Sequence, residues 1–310
     1  KTNCYLTLDE DFLKDFKFLI ESFKVSQIYL HSLVDFSWRF RTNFLKYLEN
    51  HKIDLLIMIH DYEWVCSQIN LMNTYSKSCQ LSINSFICNK CFIDNEMKKD
   101  NFLFTLSIDN HREFSQKLFR RAKNIFTPSE NTAENLIKLY PSQMFNIKYH
   151  DSTHKKLEKF SPEIKKYDFI NILVLGAIGH NKGFYQLRNF IYYCYSNKIP
   201  IYTTVLGYTM NDQDFAIFEK YIEINGKYDE KELDSILEKK DFNASLFLSP
   251  WPETFSYTLS HCFRNKIYPI TTPNSGAIEE RIKKSNYGKV LNDDFPETIV
   301  NALKELFIIK

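Results

Sequence analysis

The feature that most constrains this chain is the stretch 246–281, LFLSPWPETFSYTLSHCFRNKIYPITTPNSGAIEER. An apolar run over 244–249 stops at Pro250, Trp251 and Pro252. A polar turn with Glu253 follows, then helical spacing of Phe255, Leu259 and Phe263, then a second apolar run over 266–271. Thr272, Pro273, Asn274, Ser275 and Gly276 close that run and open another helix. Strand, loop, helix, strand, loop, helix is the pattern of a parallel sheet covered by helices. Ligands of such sheets sit outside the carboxyl ends of the strands, where both of these loops lie. Taken alone, the stretch is equally well read as two ordinary connecting loops with one exposed Glu.

The same alternation starts earlier. FINILVL (169–175) is a continuous apolar run suited to a central parallel strand. It feeds Gly176-Ala177-Ile178-Gly179-His180-Asn181-Lys182-Gly183 and a helix expected over 184–195. Free N–H groups, a helix dipole and Lys182 at such a turn suit a phosphate. The spacing is neither a P-loop nor GxGxxG, and a plain strand-to-helix turn fits it as well. All seven glycines lie at or beyond Gly176, so close backbone approach to a phosphate or sugar belongs to the second half. Runs at 200–206, 221–225 and 230–239 continue the pattern, and 295–309 reads as a closing helix.

Before this lies the polar, Lys-rich segment 151–168 around Ser161-Pro162, the best linker in the chain. It divides the chain into domains 1–160 and 161–310. In the first, 12–23 has an apolar helical face with Lys14, Lys17 and Lys24 off it, a helix packing on a sheet or lying on a membrane surface. Residues 36–48 and 114–122 read as helices, and 28–31, 124–127 and 146–149 as short strands. Ser129 is a good cap for the helix after 124–127. Residues 55–59 form a buried strand ending in His60-Asp61-Tyr62-Glu63-Trp64, where His60 is a packing residue or a ligand.

Cys66, Cys79, Cys88 and Cys91 fall in one irregular insertion, 66–91. The Cys88-x2-Cys91 pair is half of a zinc knuckle, and all four thiols together would make a closed, structural zinc site. Four reduced thiols in a loop is the other reading.

Composition sets outer bounds. At 310 residues, with 44% hydrophobic and 25% charged residues and a net charge of +2, the chain is a soluble globular protein with no general case for nucleic acid. The 27 Phe and 19 Tyr reflect codon bias at least as much as function. No apolar run reaches the length of a membrane span and no secretory signal opens the chain, so a cytoplasmic location is expected. Opening on Lys1 rather than Met suggests a trimmed or processed piece.

Together these pieces resemble the group 1 (GT4) glycosyltransferases of the GT-B fold. Gly176 to Lys182-Gly183 is similar to the family's Gly-x5-Lys-Gly phosphate loop. Pro252-Glu253-Thr254-Phe255-Ser256-Tyr257-Thr258-Leu259-Ser260-His261 resembles its Glu-x7-Glu motif, and Thr272 to Arg281 the following strand and Gly loop. His60-Asp61-Tyr62 resembles the His at the end of an N-domain strand, Pro128-Ser129 the Pro-Ser turn near that domain's end. The cysteines recur in a bacterial polysaccharide-type subset.

The resemblance implies two Rossmann-like α/β domains with parallel sheets facing a central cleft, the last helix packing back on the first domain. It implies a retaining, metal-independent transferase that moves a sugar from a nucleotide sugar, UDP or GDP, to a glycan or glycoconjugate acceptor. Surface-polysaccharide assembly at the inner face of the cytoplasmic membrane is the setting it suggests. Lys182 would contact the diphosphate and Glu253 a sugar hydroxyl. Gly179, His180 and residues Thr254, Phe255, Ser256, Tyr257 and Thr258 would line the donor, Ser275 and Gly276 would flank the nucleotide, and His60 would stand near the site of attack. No cofactor is required.

Three departures accompany it. His261 replaces the second Glu, and a single imidazole cannot chelate two ribose hydroxyls as carboxylate does. Ala177 replaces an Arg of the phosphate loop. The family's opening strand and Gly-rich loop are not recognisable before Ser26, so a truncated or reduced first domain is expected. A degenerate module that binds sugar nucleotide or a partner enzyme without turnover is the second reading, and a sugar-nucleotide epimerase the third.

Overall fold

A computed structural model describes residues 2–34, 36–73, 75, 77–79, 81–96, 107–150 and 166–309. The chain divides into two compact units, 1–149 and 150–310. The expected linker and the boundary after residue 160 lie, up to 165, outside the described residues.

The first unit runs α1 (Thr2–Ser22), β1 (Gln27–Leu30), α2 (Trp38–Asn50), β2 (Asp54–Met58), α3 (Ser85–Glu96), α4 (Ile108–Arg121), β3 (Asn124–Thr127), α5 (Glu130–Ile137) and β4 (Asn146–Ile147). The strands lie in the order β1-β2-β3-β4, all parallel. Leu55 and Ile57 of β2 are fully buried, as a central strand requires. Ser37 caps α2 by accepting from the Phe40 N–H, and Ser129 caps α5 by accepting from the Thr132 N–H. Phe16 of α1 meets the rings of Phe44 and Tyr47 on α2. The helix expected from 114 begins earlier, at Ile108, where Ser107 accepts from the Asn110 N–H. Arg121, at the end of α4, donates to the carbonyls of Leu48, His51 and Ile53, each at 2.8 Å, and so fixes α4 to the entry of β2.

The second unit runs β5 (Lys166–Tyr167), β6 (Ile170–Ile178), a 3-10 turn (His180–Lys182), α6 (Phe184–Ser196), β7 (Ile201–Thr209), a longer 3-10 segment (Asp212–Phe218), β8 (Ile222–Ile224) and α7 (Leu233–Lys239). It continues through β9 (Ala244–Phe247), α8 (Tyr257–Arg264), β10 (Tyr268–Thr271), α9 (Ala277–Ser285), β11 (Lys289–Val290), α10 (Pro296–Leu306) and β12 (Ile308–Ile309). Six strands form one parallel sheet in the order β11-β10-β9-β6-β7-β8. Counting β6 as first, this is the doubly wound order 3-2-1-4-5-6, with its reversal between β6 and β9.

Those two strands pair only at Ile172↔Ala244 and Leu173↔Ser245, while β6 runs on to Ile178. They part toward their carboxyl ends, the geometry that opens a crevice at the reversal. The closing helix is shorter than expected. Pro296 starts it, and the chain ends its described part as β12, paired in parallel with β5. Ile299, Val300 and Leu303 of α10 are buried in this unit's own core beside α6.

Candidate functional site

The reversal between β6 and β9 is where the two most informative side chains meet. Lys182 ends the 3-10 turn after β6, and Glu253 lies in the loop after β9. Lys182 Nζ donates to both carboxylate oxygens of Glu253, at 2.8 and 2.7 Å. Ser249 Oγ donates to Glu253 Oε1. The Glu253 side chain is 5% exposed and that of Lys182 32%, so a buried acid is held by a cation that still reaches solvent. A carboxylate offers about four acceptor positions, and these contacts use three, leaving one on Oε2. Lys182 likewise keeps a third N–H. A cavity of ≈ 20 Å³ behind the pair is bounded by Ile178, Ser249 and Thr258 among others, room for about one water.

The Gly-rich turn closes partly on itself. The N–H groups of Lys182 and Phe184 donate to Gly179 O, at 3.0 and 3.1 Å, and that of Gly183 to His180 O at 3.3 Å. These three amides are used in closing the turn, which also presents the Lys182 ammonium. Gly183 is required here. Its φ is +84°, and a Cβ would stand 2.2 Å from Leu248 O. His180 is half-buried against the ring of Tyr185.

Amides are also available at the start of α8. Ser256 is its N-cap, with φ 69° and no side-chain cap bond, so the first-turn N–H groups are left for another acceptor. Phe255 and Thr254 are buried, while Tyr257 is 57% exposed. The next loop is stitched to this one. Glu253 bridges to Gly276, and the Ala277 N–H donates to Glu253 O at 2.7 Å. Gly276 permits that approach, since a Cβ would lie 2.5 Å from Pro252 C. Ser275, expected beside a nucleotide, is fully buried with its hydroxyl 2.9 Å from Thr271 Oγ1, so its side chain faces the sheet.

His261 is 8% exposed and lies one helical turn into α8. Its Nδ1 is 2.7 Å from Asp234 Oδ1 of α7 and 2.7 Å from Arg264 Nη2. A carboxylate accepts and a guanidinium only donates, so one nitrogen cannot serve both. The Nδ1 proton goes to Asp234, which also pairs with Arg264 Nε at 3.2 Å. The imidazole therefore keeps Nε2 for any other partner, with a carboxylate one bond behind it.

In the first unit, His60 follows β2 and His31 follows β1, both at carboxyl ends of adjacent strands. His31 Nδ1 is 2.8 Å from His60 Nε2, and the rings stack at 16°. Burial, with the neighbouring His31, holds the His60 pKa below its usual value. Beside them Glu63 is 4% exposed and accepts the Leu33 N–H on both oxygens, at 3.2 and 3.0 Å. Burial pushes its pKa up to about 7.

Of the four cysteines expected as zinc ligands, Cys66 lies near Cys79 and Cys91: burial, with the charges of those two thiols, pushes its pKa up. Cys88 and Cys91 lie on helix α3 rather than in a knuckle turn. Cys88 Sγ donates to Ser82 O and lies 3.4 Å from Arg112 Nη2, while Cys66 Sγ accepts from the Gln68 N–H. None of the four is in a disulfide, and among the described residues no three His, Cys, Asp or Glu side chains are grouped to hold a metal ion.

His31, His150, Asp234 and Arg281 do not stand out as site residues from sequence. His150 stacks on Tyr257 at 5.9 Å and meets Phe255 edge-on at 5.2 Å, at the start of α8. A second cavity, of ≈ 390 Å³, opens at the carboxyl ends of β7 and β8, lined by Asn225, Gly226, Lys227, Tyr228 and Glu232 among others. A glycine closing a strand and followed by polar residues is the signal available for it.

No protein-family model matches the chain, and no curated protein matches it. Solved structures do. Anabaena HepE, in a complex with UDP and glucose, superposes with a TM-score of 0.57 at 11% identity, over 93% of this chain and 70% of that one. The chain has the GT-B fold. The catalytic domain of starch synthase IV from Arabidopsis thaliana, bound to ADP and acarbose, has the same fold, with a TM-score of 0.56 at 13% identity, over 94% of this chain and 67% of that one. A glycosyltransferase from Rickettsia africae gives 0.53 at 14% identity, over 98% and 70%. On the GT-B fold, the crevice at the strand reversal of the second unit is the general ligand position of a doubly wound sheet. No helix among the described residues is long and apolar enough to cross a membrane.

Proposed function

We propose that this protein is a glycosyltransferase of GT4 type that takes its sugar from a nucleoside diphosphate sugar. The observation that carries this reading is the Lys182–Glu253 pair at the strand reversal, on a fold shared with proteins solved with UDP and glucose or with ADP. Breaking a glycosyl–phosphate bond builds negative charge on the leaving diphosphate and positive charge on the sugar ring. Lys182 and the first-turn amides of α8 suit the former without a metal ion. The fourth acceptor position of Glu253 suits a donor-sugar hydroxyl. Among the described residues no carboxylate pair arranged as in a glycosidase stands beside Glu253, which favours front-face attack with retention, the leaving phosphate taking the acceptor's proton. UDP or GDP as the nucleotide, a glycan or glycoconjugate acceptor and work at the cytoplasmic membrane face belong to the same proposal, as does His60 near the site of attack.

The test is transfer from a panel of UDP and GDP sugars to glycan acceptors by wild type, Lys182→Ala and Glu253→Ala. Loss of transfer in both variants is expected, and wild-type rates in either would remove the site assignment. His261 supports the second reading, a module that binds the donor without turnover. Calorimetric binding of a nucleotide with neither transfer nor donor hydrolysis would favour it.

A further inference from the structure

Arg281 of α9 is 2% exposed, a charged side chain at a depth usually reserved for apolar ones. Its Nη1 donates to two successive carbonyls, Phe255 O at 3.0 Å and Ser256 O at 2.8 Å. Its Nη2 donates to Ser260 Oγ at 2.7 Å. The guanidinium also lies 4.2 Å from the Phe255 ring centroid and 5.6 Å from that of Phe263. Every one of these contacts falls on α8 or on the two residues before it.

Peptide geometry gives the consequence. In a trans peptide the C=O and the N–H point in opposite directions. With the carbonyls of Phe255 and Ser256 turned inward onto Arg281, the N–H groups of Ser256 and Tyr257 point away from it. Such a conformation is costly at Ser256, whose φ of 69° is one that L residues rarely adopt. A planar guanidinium is suited to holding it, because its fork reaches several acceptors from a fixed plane, whereas an ammonium is a point donor. The buried positive charge also lies beneath a helix N-terminus, adding to the potential there.

We propose that Arg281 is a positioning residue for the donor's diphosphate. It touches no ligand. It fixes the peptides at 255–257 so that two N–H groups are presented together to phosphate oxygens at the start of α8. This rests on the donor-binding reading above.

The test uses inorganic pyrophosphate, which is independent of the nucleobase, and reads the rise in melting temperature it gives each protein over its own ligand-free value. Arg281→Met removes the charge, and Arg281→Lys keeps the charge but loses the fork. A merely structural role lowers both melting temperatures of a variant and leaves the increment unchanged. Positioning predicts a smaller increment, with pyrophosphate affinity falling about tenfold in Arg281→Met and about threefold in Arg281→Lys. Increments equal to wild type in folded variants would overturn the role of Arg281 and leave the donor reading intact. A wild type that pyrophosphate does not stabilise would overturn the diphosphate reading of this loop, and the role of Arg281 with it. Where a variant does not fold, wild-type amide spectra decide. Pyrophosphate should move the Ser256 and Tyr257 resonances, and a response confined to other amides would overturn the proposal.

Discussion

Lys182 Nζ holds both oxygens of Glu253 across 71 residues of sequence, from the turn after one strand to the loop after another. Glu253 is nearly fully buried, and this contact couples the two loops. Lys182→Ala strands a buried carboxylate and should cost about 1–3 kcal/mol in urea unfolding. The double variant Lys182→Met/Glu253→Gln removes both charges. It should regain part of that loss, a coupling that a double-mutant cycle measures directly. Strict additivity of the two single changes would show that the pair is incidental.

Two glycines with positive φ separate strain from packing. At Gly276, φ is +68° and a Cβ would meet backbone atoms of Pro252 and Glu253 within 2.7 Å, whereas Gly226 has φ +76° and open space. Gly226→Ala should cost about 1 kcal/mol, the price of the dihedral. Gly276→Ala should cost several kcal/mol and loosen the Glu253 loop as well. Thermal unfolding of the two variants side by side checks the contrast.

Glu63 makes the first unit sensitive to pH in an unusual direction. Burial raises its pKa from the ordinary value of 4.5 to about 7. Between those values the folded protein holds the proton and the unfolded chain does not, so stability falls as pH rises through that window. His111, whose Nε2–H donates to Glu63 O, is driven by burial down to about 4. Its contribution has the opposite sign, lost as pH falls from 6.5 toward 4. The two offset each other in wild type. Glu63→Gln removes the first, so the stability of wild type relative to Glu63→Gln should decline between pH 4.5 and 7, by on the order of 2–3 kcal/mol at most. Urea midpoints of both proteins across that range test it. A flat difference would contradict the shift.

His261 cannot simply be exchanged for the acid its position suggests. Asp234 Oδ1 stands 2.7 Å from its Nδ1, so Glu at 261 would set two carboxylates together. His261→Glu should lose about 1–2 kcal/mol at neutral pH, and adding Asp234→Asn should restore much of it. The same urea unfolding experiment reads both, and equal stability of His261→Glu and wild type would show that the two groups do not interact.

The second unit is largely legible from its residues because each strand is a buried apolar run and each turn carries a Gly or Pro. FINILVL announces β6, yet the strand's last three residues, Gly176, Ala177 and Ile178, read as turn. They pair with Gly207, Tyr208 and Thr209, and a glycine facing a glycine across a strand pair has no periodicity to show. Glu253 and Lys182 stand out as motif members, but that they touch is a fact of the sheet order. Arg281 is hidden for another reason. On a helical wheel it reads as a surface cation, and only the positive φ at Ser256, which turns two carbonyls inward, gives it a buried place. In the first unit, His31 and His60 lie 29 residues apart in sequence and meet because β1 and β2 are adjacent and parallel. The Cys88–Cys91 segment reads as a loop because α3 has no apolar face to announce it, with Phe86 and Ile93 exposed and Phe92 buried.

The most direct test of a nucleotide-sugar site at the strand reversal is calorimetric titration of UDP and of GDP into wild type and Lys182→Ala. Saturable binding of one nucleotide to wild type is expected. In Lys182→Ala the affinity should fall about tenfold or more, the loss of one charge-assisted contact to the diphosphate. Equal affinity in the two proteins, or no binding of either nucleotide to wild type, would contradict it.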